Sequence, residues 1–154
     1  MNVLKLQDLF DNKETVALVL EEMIPTFDKI NQYTEKMKEH QLDNPASLRS
    51  AMQILTGCHA DVRVILGVAH SKLTNLEAKT YSQLKFDIEN EGGKFTAQID
   101  SATKKEATLQ TSEYRDVYSV LLAYVEGSRQ SINVIQSLLK DVRAEINDPT
   151  TGEH

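Results

Sequence analysis

The sequence predicts an all-α protein, built as a long antiparallel helical hairpin with a kinked N-terminal helix and coiled-coil-like heptad packing. Apolar residues recur at alternating intervals of three and four in three separate segments, the spacing that lays a stripe along one face of a helix. Glycine (six) and proline (three) are scarce among the 154 residues, and no Asn-Gly dipeptide sits between alternating apolar runs to turn a β-hairpin. Helix start and stop signals also fall where the stripes begin and end.

The elements follow in order. The opening "NVLKLQDLF" places Val3, Leu4, Leu6, Leu9 and Phe10 close together, enough for a short docking helix. A stripe then runs through Val16, Leu20, Met23, Phe27, Ile30, Thr34 and Met37, and its phase survives Pro25. An internal proline removes one backbone hydrogen bond and bends a helix without having to end it, so a kinked helix is expected. These residues form an acidic N-terminal segment, 1–44, distinct from a hairpin over 45–154.

The first hairpin helix starts at Asn44, which can accept a free backbone N–H, and Pro45, whose missing donor costs nothing at the first helical position. Its stripe steps through Leu48, Met52, Leu55, His59, Val62, Leu66, Ala69, Leu73, Leu76 and Thr80. Gly92 and Gly93 supply the left-handed backbone that ends a helix. Unbroken from Pro45 to Asn90, it would be about 69 Å long at about 1.5 Å per residue.

The next stretch, "GGKFTAQIDSATKKEATLQTSEY", is polar and threonine-rich, a polar connector near residues 91–112. Joining two helices commonly takes about 2–8 residues, so its length needs a reason. Phe95, Ile99, Ala102 and Leu109 can form a short amphipathic helix capped by Thr96. The remainder reads either as a solvated loop or as a binding or subunit-exchanging arm.

The final helix repeats the pattern twice. One stripe holds Tyr114, Val117, Leu121, Tyr124, Ser128, Ser131, Ile135, Leu138 and Val142, and a second holds Tyr118, Leu122, Val125, Ile132, Leu139 and Ile146. Thr111 or Ser112 caps its start and Pro149 lies past its end. The small residues Gly127, Ser128 and Ser131 would let a partner helix approach closely, opposite Gly67 and Ala69 in an antiparallel pairing. Across the helices, Leu55, Val62, Leu66, Leu73, Leu121, Tyr124, Ile135 and Leu138 are the expected core or oligomer seam.

Catalytic patterns are sparse. The one cysteine, Cys58, excludes an intramolecular disulfide and a cysteine-based zinc cluster. His59 falls on the stripe, where a polar residue fixes register, and no Glu-x-x-His pair suggests a di-iron site. "EGGK" lacks the spacing of a phosphate loop. No catalytic residue, metal or cofactor is expected, and a non-enzymatic role follows. The start lacks a basic, apolar leader and no run approaches the ~18 residues of a membrane span, so a cytoplasmic protein without membrane contact is expected.

Charge is uneven around the net −6. Residues 1–44 hold five lysines against nine acids (−4), residues 113–154 four basic residues against seven (−3), and the middle comes to +1. There Lys72, Lys79, Lys85, Lys94, Lys104 and Lys105 accompany Tyr81, Phe86 and Phe95 as stacking candidates, the mixture of cations and rings that suits single strands. Six acids share residues 70–112 and leave that interval neutral, so a solvated helix face is the competing reading. Repetition of a weak patch in an oligomer would turn it into a multivalent track.

The layout "SKLTNLEAKTYSQLKFD", then the connector, then "LLAYVEGSRQSINVIQSLLKDVRAEI" resembles the UvsY family of phage recombination mediators over roughly Lys72 to Ile146. The resemblance implies a homo-oligomer that binds single-stranded DNA and helps a RecA-type recombinase displace a single-strand-binding protein, in the cytoplasm of a host cell. It carries DNA contacts to Lys72, Lys79 and Lys85 by position. The acidic first 44 residues depart from it and suggest a docking segment for a protein. A helical assembly or inhibitor module that binds only protein is the alternative.

Overall fold

The computed structural model describes residues 3–42 and 44–147, with side chains over 4–42 and 44–144. The described residues contain five helices and no strand: α1 (Val3–Leu9), α2 (Leu18–Lys38), α3 (Pro45–Asn90), α4 (Ala97–Gln110) and α5 (Ser112–Asn147). Pro149, His154 and the side chains of Val3 and Ile146 lie outside the described residues. The chain forms two compact units, one from residues 1–22 and 65–121 and the other from 23–64 and 122–154. Neither coincides with residues 1–44 or with 45–154.

Local chemistry sets the helix ends. At the start of α3 the Asn44 carboxamide oxygen accepts the Ser47 N–H at 2.9 Å, and the Ser47 hydroxyl donates to the Asn44 carbonyl at 2.9 Å. At its end Gly93 N–H reaches back to Ile88 O (3.0 Å) and Gly92 N–H to Glu89 O (3.1 Å), with Gly92 at φ 80°. A Cβ on Gly93 would lie 2.9 Å from the Ile88 carbonyl oxygen, so the second glycine is needed for space. α2 ends by the same bonds, Gln41 N–H to Lys36 O and His40 N–H to Met37 O, but the left-handed residue is His40 at φ 55°. Pro25 is exposed inside a continuous α2.

In the unit of residues 1–22 and 65–121, Leu6, Phe10, Val16 and Val19 from the N-terminal segment share a core with Ile65, Ala69, Leu73, Ala107, Tyr114, Val117 and Leu121. Exposed ion pairs ring it, among them Lys5–Glu22 (2.7 Å), Lys13–Glu113 (3.2 Å), Lys72–Asp11 and Arg115–Glu77. The His70 ring against Tyr118, together with Glu77 against Arg115, shows that α3 and α5 run antiparallel here.

In the unit of residues 23–64 and 122–154, Met23, Phe27 and Ile30 of α2 pack with Leu48, Leu55 and Val62 of α3 and with Ile135 and Leu139 of α5. Polar seam residues are matched across helices: His59 Nδ1 to Ser128 Oγ at 2.9 Å, and Thr34 Oγ1 to Ser131 Oγ at 3.0 Å. Phe27 stacks on Tyr124 with ring centroids 3.9 Å apart, and Asn31 donates to the Tyr124 hydroxyl at 3.2 Å.

The buried register of α3 differs from the one expected. Its most buried positions are Leu48, Ala51, Leu55, Cys58, Val62, Ile65, Ala69 and Leu73, while Met52, His59 and Leu66 are only half-buried. A helix packed from two sides turns three positions per heptad inward, and here the small Ala51 and Cys58 are among the buried ones. On α5 the stripe passes to Leu139, leaving Leu138 exposed, and Tyr124 is half-buried. Ser128 and Ser131 are buried and hydrogen-bonded, but Gly67 and Gly127 are exposed, and a Cβ on either would meet nothing within 4 Å.

Candidate nucleic-acid interface

The connector is a helix. Residues 91–96 form the turn, Thr96 caps α4 by accepting the Ile99 N–H at 3.3 Å, and Thr111 alone separates the end of α4 from the start of α5. A long polar loop or extended arm is therefore replaced by a 14-residue helix packed on the end of α3. Its buried face is not the expected Ala102 and Leu109, which are exposed, but Thr103 and Ala107 with Ile99 half-buried. Thr103 donates its hydroxyl to Ile99 O (2.8 Å) and Thr111 to Ala107 O (3.0 Å), so each threonine is buried with its polar atom satisfied.

Around this corner four of the sequence-predicted residues come together. Tyr81 of α3 meets Phe95 edge-on, with ring centroids 6.4 Å apart, and Lys85 holds its ammonium 5.1 Å from the Phe95 ring centre. The Tyr81 hydroxyl donates to Asp100 Oδ1 at 2.6 Å, and Lys104 donates to Asp100 Oδ2 at 2.8 Å. A hollow of about 290 Å³ lies beside it, bordered by Tyr81 and Lys104 together with Glu77 and Ala107. Lys85 also has Glu89 at 3.9 Å, so the cluster is mixed in charge rather than purely basic.

The electrostatics follow from those contacts. The Lys104 ammonium and then the Tyr81 hydroxyl hold the Asp100 carboxyl below the usual carboxylate range, and Asp100 in turn raises the Lys104 pKa. Its hydrogen bond to Asp100 raises Tyr81 above the usual phenol range, so Tyr81 is a neutral donor at neutral pH.

The other predicted residues do not join this cluster. Lys72 is committed to Asp11. Lys79, Lys94 and Lys105 are exposed and make no ion pair among the described residues. Lys79 precedes Tyr81 by two positions, which points it to a different face of α3. Phe86 stands 58% exposed with no ring partner among the described residues. A single track through all six lysines is thus divided. Asp100, at the centre of the cluster, was not among the expected site residues; its i,i+4 spacing to Lys104 is legible in the sequence, but its bond to Tyr81 across two helices is not.

Burial pushes the Cys58 thiol above its usual pKa, which keeps it protonated and unsuited to nucleophilic attack. Among the described residues no group of three or more His, Cys, Asp or Glu could hold a metal ion, and no helix is long and apolar enough to cross a membrane. Comparison with protein-family models, curated proteins and solved structures finds no match to this chain.

Proposed function

We propose that this protein is a non-enzymatic, oligomeric accessory factor of DNA recombination or repair that binds single-stranded DNA at the α3–α4 corner. The observation that supports it most is the grouping of Tyr81, Phe95, Lys85 and Lys104, two rings and two cations brought together from α3, the turn and α4. Rings offer faces to bases and ammonium groups offer charge to phosphates, a combination tolerant of sequence. Lys94 and Lys105, each next in sequence to a cluster residue, add uncommitted charge. Assistance to a RecA-type recombinase against a single-strand-binding protein is the finer role that the UvsY-like layout suggests.

A second reading, a protein-binding assembly module, is favoured by the exposed Val134 and Leu138 one turn apart on α5. Oligonucleotide binding at several salt concentrations separates the two. A mediator binds labelled oligo-thymidylate at low salt and weakens as salt rises, and Lys85→Glu with Lys104→Glu lowers affinity and reduces the salt slope by about 0.7 per lost contact. No binding by the wild type at low salt overturns the nucleic-acid reading. A monomer mass by light scattering at micromolar concentration overturns the oligomeric part.

A further inference from the structure

We propose that Asp100 is a built-in competitor of the nucleic acid: its carboxylate occupies, in the free protein, the two donors that a backbone phosphate takes on binding. The inference rests on the binding role proposed above and adds to it a residue that opposes binding. Tyr81 from α3 and Lys104 from α4 converge on the two oxygens of this one carboxylate, at 2.6 and 2.8 Å. A phosphodiester presents the same chemistry, two anionic oxygens that accept charge-assisted hydrogen bonds from an ammonium and a hydroxyl. The free protein therefore already holds the donors in a spacing that suits two oxygens on one centre.

The competitor is weakly held. The Asp100 side chain is 30% exposed and that of Lys104 is 64% exposed, and ion pairs so open to water are easily exchanged. A strand that brings several phosphates at once can displace one carboxylate, whereas an isolated anion gains little by doing so. Neighbouring acids are placed differently. Glu77 is tied to Arg115 and Thr111, and Glu89 lies 3.9 Å from Lys85, so neither takes the Tyr81 hydroxyl. A phenol, with an ordinary pKa of about 10, stays protonated at neutral pH without Asp100, so displacement releases a hydroxyl still able to donate.

Fluorescence anisotropy with labelled oligo-thymidylate tests this on the full chain, comparing wild type, Asp100→Asn, Asp100→Glu and Asp100→Asn with Lys104→Met. Asp100→Asn should bind about two- to fivefold more tightly at low salt, the effect of losing one exposed competing charge, with a salt slope steeper by about 0.7. Asp100→Glu, which keeps the charge, should match the wild type, and Lys104→Met should abolish the gain. Equal or weaker binding by Asp100→Asn while the wild type binds overturns the competitor role and leaves the binding reading in place. A gain shared by Asp100→Glu overturns it too. Absence of binding in both wild type and Asp100→Asn overturns the binding reading and the competitor with it. Helicity is checked by circular dichroism, and if Asp100→Asn unfolds, Asp100→Ser serves in its place.

Discussion

Two adjacent leucines near the end of α5 give a direct test of helix register. Leu138 is 39% exposed and Leu139 is 8% exposed, although the apolar spacing alone assigns Leu138 to the main stripe. Replacing Leu139 by Ala removes three carbons from a buried site, at about 0.8 kcal/mol each, or about 2.4 kcal/mol before any cavity is counted. An unrelaxed cavity raises the total, and buried Leu→Ala changes span about 2–5 kcal/mol. Near the end of a helix the site can partly collapse, so about 2–3 kcal/mol is expected. Leu138→Ala opens space to water rather than a cavity and should cost about 1 kcal/mol or less. Urea unfolding followed by circular dichroism at a fixed protein concentration measures both, with equal m-values licensing the comparison. A larger loss for Leu138→Ala than for Leu139→Ala would refute the register. Equal large losses that shrink on dilution would instead place Leu138 against a second copy of the chain.

Two further outcomes follow from local chemistry. His40 sits at φ 55° where glycine is unstrained, so His40→Gly should raise stability by about 0.5–1 kcal/mol, read as a higher urea midpoint; a lower midpoint would contradict the left-handed cap. Asp100 has a folded-state pKa below its unfolded value, so its contribution to stability is present above the ordinary carboxylate pKa of about 4 and is lost as pH falls through the lower folded value. Wild type should therefore lose more stability than Asp100→Asn on acidification below about pH 4. Ultraviolet titration should show two tyrosines ionising above the usual range in the wild type, Tyr81 through Asp100 and Tyr114 through burial, and only one in Asp100→Asn or Tyr81→Phe; an unchanged titration in Asp100→Asn would mean that the Tyr81–Asp100 bond is absent in solution.

The helical class, the short first helix and the bounds of α3 were legible in the sequence because each depends on local signals: apolar spacing, the Asn44-Pro45 start and the Gly92-Gly93 stop. The deep positions of α3 were not. Ala51 and Met52, Cys58 and His59, Ile65 and Leu66 are adjacent pairs, and spacing alone gives either member a place beside the shared Leu48, Leu55, Val62 and Ala69. Depth is decided by how near the packed helices come, which a hydropathy pattern does not contain. The candidate site was legible in its residue types but not in its grouping. Lys85 and Lys104 lie nineteen residues apart, and only the turn at Gly92 brings their helices back together.

The threonine content of the connector links fold to site. Thr103 and Thr111 read as polar, yet their hydroxyls are satisfied by carbonyls four residues earlier and both residues are buried. Such residues have modest helix propensity, so α4 depends on its docking to α3 more than on its own tendency to form. The fastenings across that junction include Tyr81 to Asp100 and Thr111 to Glu77. A ligand that merely removed Asp100 from Tyr81 would loosen the helix that carries Lys104 and Lys105. A phosphate that bridges Tyr81 and Lys104 would instead replace one tie between the helices with another. Binding in that form leaves α4 docked, and this is why the competitor and the ligand are expected to share both donors rather than only the ammonium.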